Sequence, residues 1–118
     1  MTSKNPTAED LLALLVVYLR DELGHAPPIG AVLKFDYSDG KCVVIDGSEG
    51  TNHVSSDDGP ADCVVTLSLG AHLQMMRFEL DQASAFREGH MRIKGNIAIA
   101  LRLAPLISRP FRFPGETR

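Results

Sequence analysis

The chain has 118 residues, 44% of them apolar and 23% charged, with a net charge of −3 and an isoelectric point near 5.7. That length fits one domain that buries roughly two thirds of its unfolded surface, so a single core needs neither disulfide nor metal. The acidic balance, with no run of Lys or Arg, argues against a nucleic-acid partner, because duplex binding needs a clustered basic surface.

Residues 1–6 read as a frayed end. Thr7 opens a helix: its hydroxyl can accept from the backbone of Asp10, and Asp10 can reach back, which is the capping-box pattern. Leu11, Leu12, Leu14, Leu15, Val16, Tyr18 and Leu19 give this helix a wide apolar face. Gly24 is placed as its C′ residue, and Pro27-Pro28 forbids continuation. The run Leu11–Leu19 is too short to span a bilayer. It is also not read as a secretion signal, because Glu9 and Asp10 stand where a positive segment should be. The expected compartment is the cytoplasm.

From Ile29 to Ser38 the pattern alternates, with Leu33, Phe35 and Tyr37 on one side and Lys34 and Asp36 on the other, as in a half-buried strand. Asp39-Gly40 is a tight-turn pair, and Lys41–Ile45 is the return strand. A turn at 46–50 leads to a polar strand, Thr51–Ser55, suited to a sheet edge. Asp57-Asp58-Gly59-Pro60 reads as one more turn before Cys63–Leu67, a β-branched strand. Four short strands in series predict an antiparallel meander. The period then changes. Ser68 caps a helix over Leu69–Phe78, Asp81 caps a short helix ended by Gly89, and Met91–Lys94 is a fifth strand. Gly95 turns the chain and Asn96 caps a final helix through Leu106. In the tail after Ser108, Phe111 and Phe113 are candidates to dock on the body. The whole reads as one α+β domain over 1–118, with its core at about 7–107 and an irregular tail over 108–118.

Nothing in this order carries obvious chemistry. His25, His53, His72 and His90 are dispersed without paired ligand spacing, so no metal site and no cofactor is expected. Cys42 and Cys63 lie in apolar strands without a CxxC and read as free buried thiols. A thiol–imidazole pair of Cys63 with His72 or His90 can be drawn, but a mid-strand cysteine is usually packed rather than reactive. Asp57-Asp58 and Glu9-Asp10 have turn and cap explanations. No catalytic residue is assigned.

What remains is an excess of apolar surface. The last helix is apolar nearly all round, with Arg102 the only charge between Ile97 and Ala104. Such a helix is enclosed by its own domain, covered by a second chain, or set against a cavity. Leu73, Met75, Met76 and Phe86 add to the surplus.

The segment from Asp81 to Leu103 resembles the signature of the sterol carrier protein 2 (SCP2) family through Asp81, Ala85-Phe86, Gly89, Ile93, Lys94-Gly95-Asn96, Ala100, Leu101 and Leu103. Ala61-Asp62-Cys63 and the hairpin around Asp39-Gly40 resemble it too. Gln82 departs from the proline the family often has there, a helpful but dispensable first-turn residue. The resemblance implies an SCP2-like, five-stranded, mainly antiparallel sheet covered by helices that enclose a hydrophobic tunnel. It also implies non-catalytic binding and transfer of sterols, fatty acids, acyl-CoAs or isoprenoid lipids. The candidate ligand contacts are Leu15, Phe35 and Leu73, then Met76 and Phe86, and on the last helix Ile97, Ala100, Leu101 and Ala104. The implied partners are an apolar lipid and, transiently, a membrane. The alternative is an accessory module of a lipid or quinone biosynthesis complex, or a homodimer, in which the apolar helix is the contact. The final Glu-Thr-Arg is not a peroxisomal signal.

Overall fold

The computed structural model describes residues 7–113, so the expected frayed end at 1–6 and the last five residues of the tail lie outside the described residues. Helix α1 spans Ala8–Leu23 and starts on the expected capping box: Asp10 N donates to Thr7 Oγ1 at 3.1 Å and Thr7 N to Asp10 Oδ2 at 3.0 Å. It buries Leu15, Val16, Leu19 and Leu23, the i, i+4, i+8 stripe of an amphipathic helix. Gly24 keeps a right-handed backbone (φ −62°), so the helix does not end in the left-handed glycine cap expected there. The two prolines that follow prevent its continuation.

Strands β1 (Val32–Asp36), β2 (Cys42–Asp46), β3 (His53–Ser55), β4 (Cys63–Leu67) and β5 (Met91–Gly95) form one sheet in the order β3-β2-β1-β4-β5. The short polar β3 is at an edge, as expected. The meander is not. β4 does not pair with β3 but lies parallel to β1, with Leu33 opposite Cys63 and Phe35 opposite Val65. The other three pairings are antiparallel. Residues 56–62 therefore form a crossover rather than a turn. It runs over the outer face of the sheet, where Lys34 pairs with Asp58 and the Cys42 thiol donates to Ser56 O at 3.8 Å. Val32 N and O bond Asp62 Oδ2 and Asp62 N, both at 2.9 Å, which locks the start of β4 beside β1. This cover explains why Cys42 and Val44, on the outer face, are buried.

The inner face carries Leu33, Phe35, Val43, Ile45, Val54, Cys63, Val65 and Leu67, all buried in one core. Helix α2 (Leu69–Met76) is capped by Ser68, whose hydroxyl accepts from Ala71 N at 3.0 Å. Helix α3 (Gln82–Arg87) is capped by Asp81, which accepts from Ser84 N at 2.8 Å. Helix α4 (Ile97–Leu103) is capped by Asn96 through Ala98 N at 3.1 Å. It is shorter than expected: from Ala104 to Leu106 the chain tightens into a 3₁₀ turn with Pro105 in its first positions, where no N–H is needed. Phe111 reaches the core, donating its N–H to Met76 O at 2.8 Å and meeting Tyr18 edge-to-face. Glu22 anchors the same segment by accepting from Ser108 N and Arg109 N.

A buried amide ties the opposite end. Asn52 Oδ1 accepts from Ile29 N at 2.9 Å, and its Nδ2 donates to Pro27 O and Leu23 O, so the β2–β3 turn, the proline segment and the end of α1 are one unit.

Candidate functional site

Between the inner face of the sheet and the helices α2 and α4 lies a cavity of about 300 Å³. Phe35, Val65 and Met91 come from three neighbouring strands. His72, Met75 and Met76 come from α2, Phe78, Leu80 and Asp81 from the connection into α3, Gln82 from its first turn, and Ala100, Leu103, Ala104 and Ile107 from α4 and the turn after it. The wall is thus almost wholly apolar. Such a wall holds an apolar group mainly through area removed from water.

Of the nine residues selected from the sequence, Phe35, Met76, Ala100 and Ala104 meet on this wall. Leu15 and Leu73 are buried in the core but are not part of it. Phe86, Ile97 and Leu101 are about half exposed, at 52%, 48% and 56%. The reason lies in helical phase. α4 turns Ile99, Ala100 and Leu103 inward, so Ile97 and Leu101, four residues apart, share the opposite stripe. On α3 the inward residue is Ala85, which leaves its neighbour Phe86 outside. The last helix therefore serves a cavity on one side and still shows an apolar stripe on the other. Its one charge, Arg102, reaches across to Ile29 O at 2.8 Å.

The rest of the wall was not selected, including all three of its polar residues, His72, Asp81 and Gln82. His72 had a signal: an imidazole in the mostly apolar LGAHLQMM helix, facing a strand side that already carried Phe35 and Tyr37. The ring is fully buried, stacked on Phe35 at a centroid distance of 4.1 Å, with Nδ1 2.7 Å from the Tyr37 hydroxyl. Burial away from any counter-charge lowers its pKa to about 3, so it is neutral at physiological pH. Asp81 is held below the usual carboxylate range by the Ser84 N–H and hydroxyl that it caps.

Phe78 occupies an uncommon backbone position. Helix α2 ends in a Schellman motif, with Glu79 N donating to Gln74 O at 2.8 Å and Phe78 N to Met75 O at 3.1 Å. The left-handed C′ position of this motif normally holds glycine. Here it holds Phe78, at φ 64°, a residue 57% exposed that lines the cavity.

The Cys63 thiol is raised by burial, the opposite of the activation a nucleophile needs. Among the described residues no cluster of three or more His, Cys, Asp or Glu is placed to hold a metal, and no helix is long and apolar enough to cross a membrane.

The fold has solved counterparts. The SCP2-like 2 protein of Aedes aegypti superposes with a TM-score of 0.67 at 17% identity, covering 86% of this chain and 100% of that one. A UbiJ-SCP2 ubiquinone synthesis protein superposes at 0.63 with 18% identity, covering 88% and 93%. In sequence, sterol carrier protein 2 of Rattus norvegicus is 32% identical over 88 residues, which are 70% of this chain and only 16% of that protein. The model of the SCP-2 sterol transfer family matches residues 9–108, from the first turn of α1 to just beyond the cavity's last wall residue, and the chain belongs to that family.

Proposed function

We propose that this chain is a non-catalytic carrier that binds an apolar lipid of the sterol, fatty acid, acyl-CoA or isoprenoid type in the cavity between α2, α4 and the sheet, and exchanges it in the cytoplasm through transient membrane contact. The observation that carries the reading is the wall itself: three strands and two helices contribute almost only apolar side chains to one cavity. Membership of a sterol transfer family supports it. A lipid burying roughly 400 Å² of apolar surface gains about 10 kcal/mol at ~25 cal/mol per Å². Subtracting at least ~4 kcal/mol for lost freedom leaves binding of the order of tens of micromolar. That is weak enough for exchange. The test is uptake of a fluorescent fatty-acid analogue by the folded protein and its displacement by unlabelled lipids; saturable, competed uptake supports the reading, and its absence for every lipid class defeats it.

A second reading rests on a different observation, the exposed stripe of Ile97 and Leu101. There the chain is an accessory module of a lipid or quinone biosynthesis complex, or a homodimer, and the stripe is its contact. The resemblance in fold to a ubiquinone synthesis protein suits this role. Sedimentation of the lipid-free protein tests self-association: a monomer at all concentrations removes the homodimer.

A further inference from the structure

Among the described residues, the cavity wall is apolar except at three. Asp81 is exposed and Gln82 partly so, whereas His72 is fully buried. Its Nδ1 is engaged by Tyr37, and its Nε2 is a buried polar atom without a hydrogen-bond partner. The direction of the Tyr37 bond decides what Nε2 is. The buried Tyr37 hydroxyl has His72 Nδ1 as its one hydrogen-bond partner among the described residues. If that hydroxyl accepted, its own proton would be left buried without an acceptor. If it donates, the imidazole proton sits on Nε2, and the one donor left over belongs to His72, which lines the cavity and can be paired by a ligand there, rather than to Tyr37, which does not line it. The second arrangement leaves one unused group, an N–H donor, on the wall of an apolar cavity. Leaving such a donor unpaired is unfavourable, and a ligand oxygen would remove that penalty.

We propose that His72 Nε2–H is the polar recognition point of the cavity, and that the ligand is a lipid with an uncharged acceptor oxygen at one end, a hydroxyl or an ester carbonyl, inserted oxygen first. This rests on the carrier reading above and narrows its ligand. The donor is uncharged, and among the described residues no cationic side chain lines the cavity. An ionised carboxylate would therefore lose its water for a single neutral N–H, which disfavours it as the inserted end. Tyr37 is a positioning residue: it fixes the tautomer and does not line the cavity.

The test compares 1-dodecanol with dodecane as competitors of a fluorescent fatty-acid probe, in the natural protein and in the Tyr37→Phe/His72→Phe double variant, which removes the donor without orphaning the hydroxyl. The ratio of dodecanol to dodecane affinity should fall about tenfold in the variant, the worth of one buried hydrogen bond. An unchanged ratio overturns the proposal. Nitrogen-15 spectra of the natural protein give a second readout that does not depend on the variant folding. They should show His72 protonated on Nε2, with that resonance moved by dodecanol and not by dodecane; a proton on Nδ1, or equal shifts, overturns it. Failure of the natural protein to take up the probe at all would defeat the carrier reading, a result distinct from uptake without discrimination.

Discussion

Gly95 passes over the backbone carbonyl of Asp62 so closely that a Cβ on Gly95 would lie 2.4 Å from that oxygen. Its φ of +95° is one that side-chain-bearing residues avoid. The next residue, Asn96, donates its N–H to the same carbonyl and caps α4, the helix that carries Ala100 and Leu103 to the cavity. The start of β4 and the start of α4 are thereby joined at one backbone contact. Gly95→Ala should destabilise the protein by at least about 2 kcal/mol in urea unfolding. Asn96→Ala, which removes only the cap, should cost about 1 kcal/mol. Equal costs would mean that the close approach is not what fixes the helix.

Phe78 is expected to separate stability from binding. Phe78→Gly places in the left-handed C′ position the residue that suits it, and the Schellman bonds remain. The variant should be more stable by about 1 kcal/mol. It should also lose probe affinity, because the ring forms part of the wall. Denaturant titration and probe uptake on the same sample check both halves. A variant that binds as well as the natural protein would remove Phe78 from the site.

The buried neutral imidazole predicts a direction for the pH dependence. In the unfolded chain His72 takes up a proton near pH 6.5, whereas in the folded protein it does so only near pH 3. Between those values the unfolded state binds the extra proton, so its contribution is fully present above pH 6.5 and is lost as the pH falls toward 3. From pH 7 to pH 5 the loss should be about 2 kcal/mol. The depressed carboxylates of Glu22, Asp46, Asp58 and Asp81 act lower, around and below their ordinary values. Unfolding free energies at pH 7 and pH 5, for the natural protein and the Tyr37→Phe/His72→Phe variant, should differ mainly by this amount.

Two tryptophan substitutions on neighbouring turns should behave differently. Ala104 lines the cavity yet keeps an exposed side, so Ala104→Trp has room to fold and a ring to place across the wall. Leu101 points outward and is 56% exposed. Ala104→Trp should lower probe affinity at least about tenfold, while Leu101→Trp should change it little. The opposite order would place the ligand on the outer stripe of α4 rather than in the cavity.

The strands were legible because alternation and turn chemistry are local. β4 was read from Cys63 to Leu67 as the structure has it, and the caps at Thr7, Ser68, Asp81 and Asn96 all engage their helices. The partner of β4 was not legible. A strand with two apolar neighbours carries the same local pattern whether it joins a hairpin or a parallel pair, and the Asp57–Pro60 segment reads as a turn although it spans the sheet. The cavity was legible as surplus apolar surface on α2 and α4. Which stripe of each helix turns inward depends on how the helix is set by its cap and by the sheet below it. A shift of one residue separates Leu73 from His72, and Leu101 from Ala100. His72 was missed because its chemistry is pairwise: neither it nor Tyr37 forms a motif until the fold brings them together across 35 residues.

The crossover over the outer face also places the two thiols on different clocks. Cys42 lies under the strap of residues 56–62, and Cys63 lies on the other side of the sheet against α4. A thiol reagent reaches Cys42 when the strap lifts, and Cys63 when α4 moves off the inner face of the sheet. Movement of α4 and movement of the outer strap are therefore recorded by two separate chemical signals in one unmodified molecule.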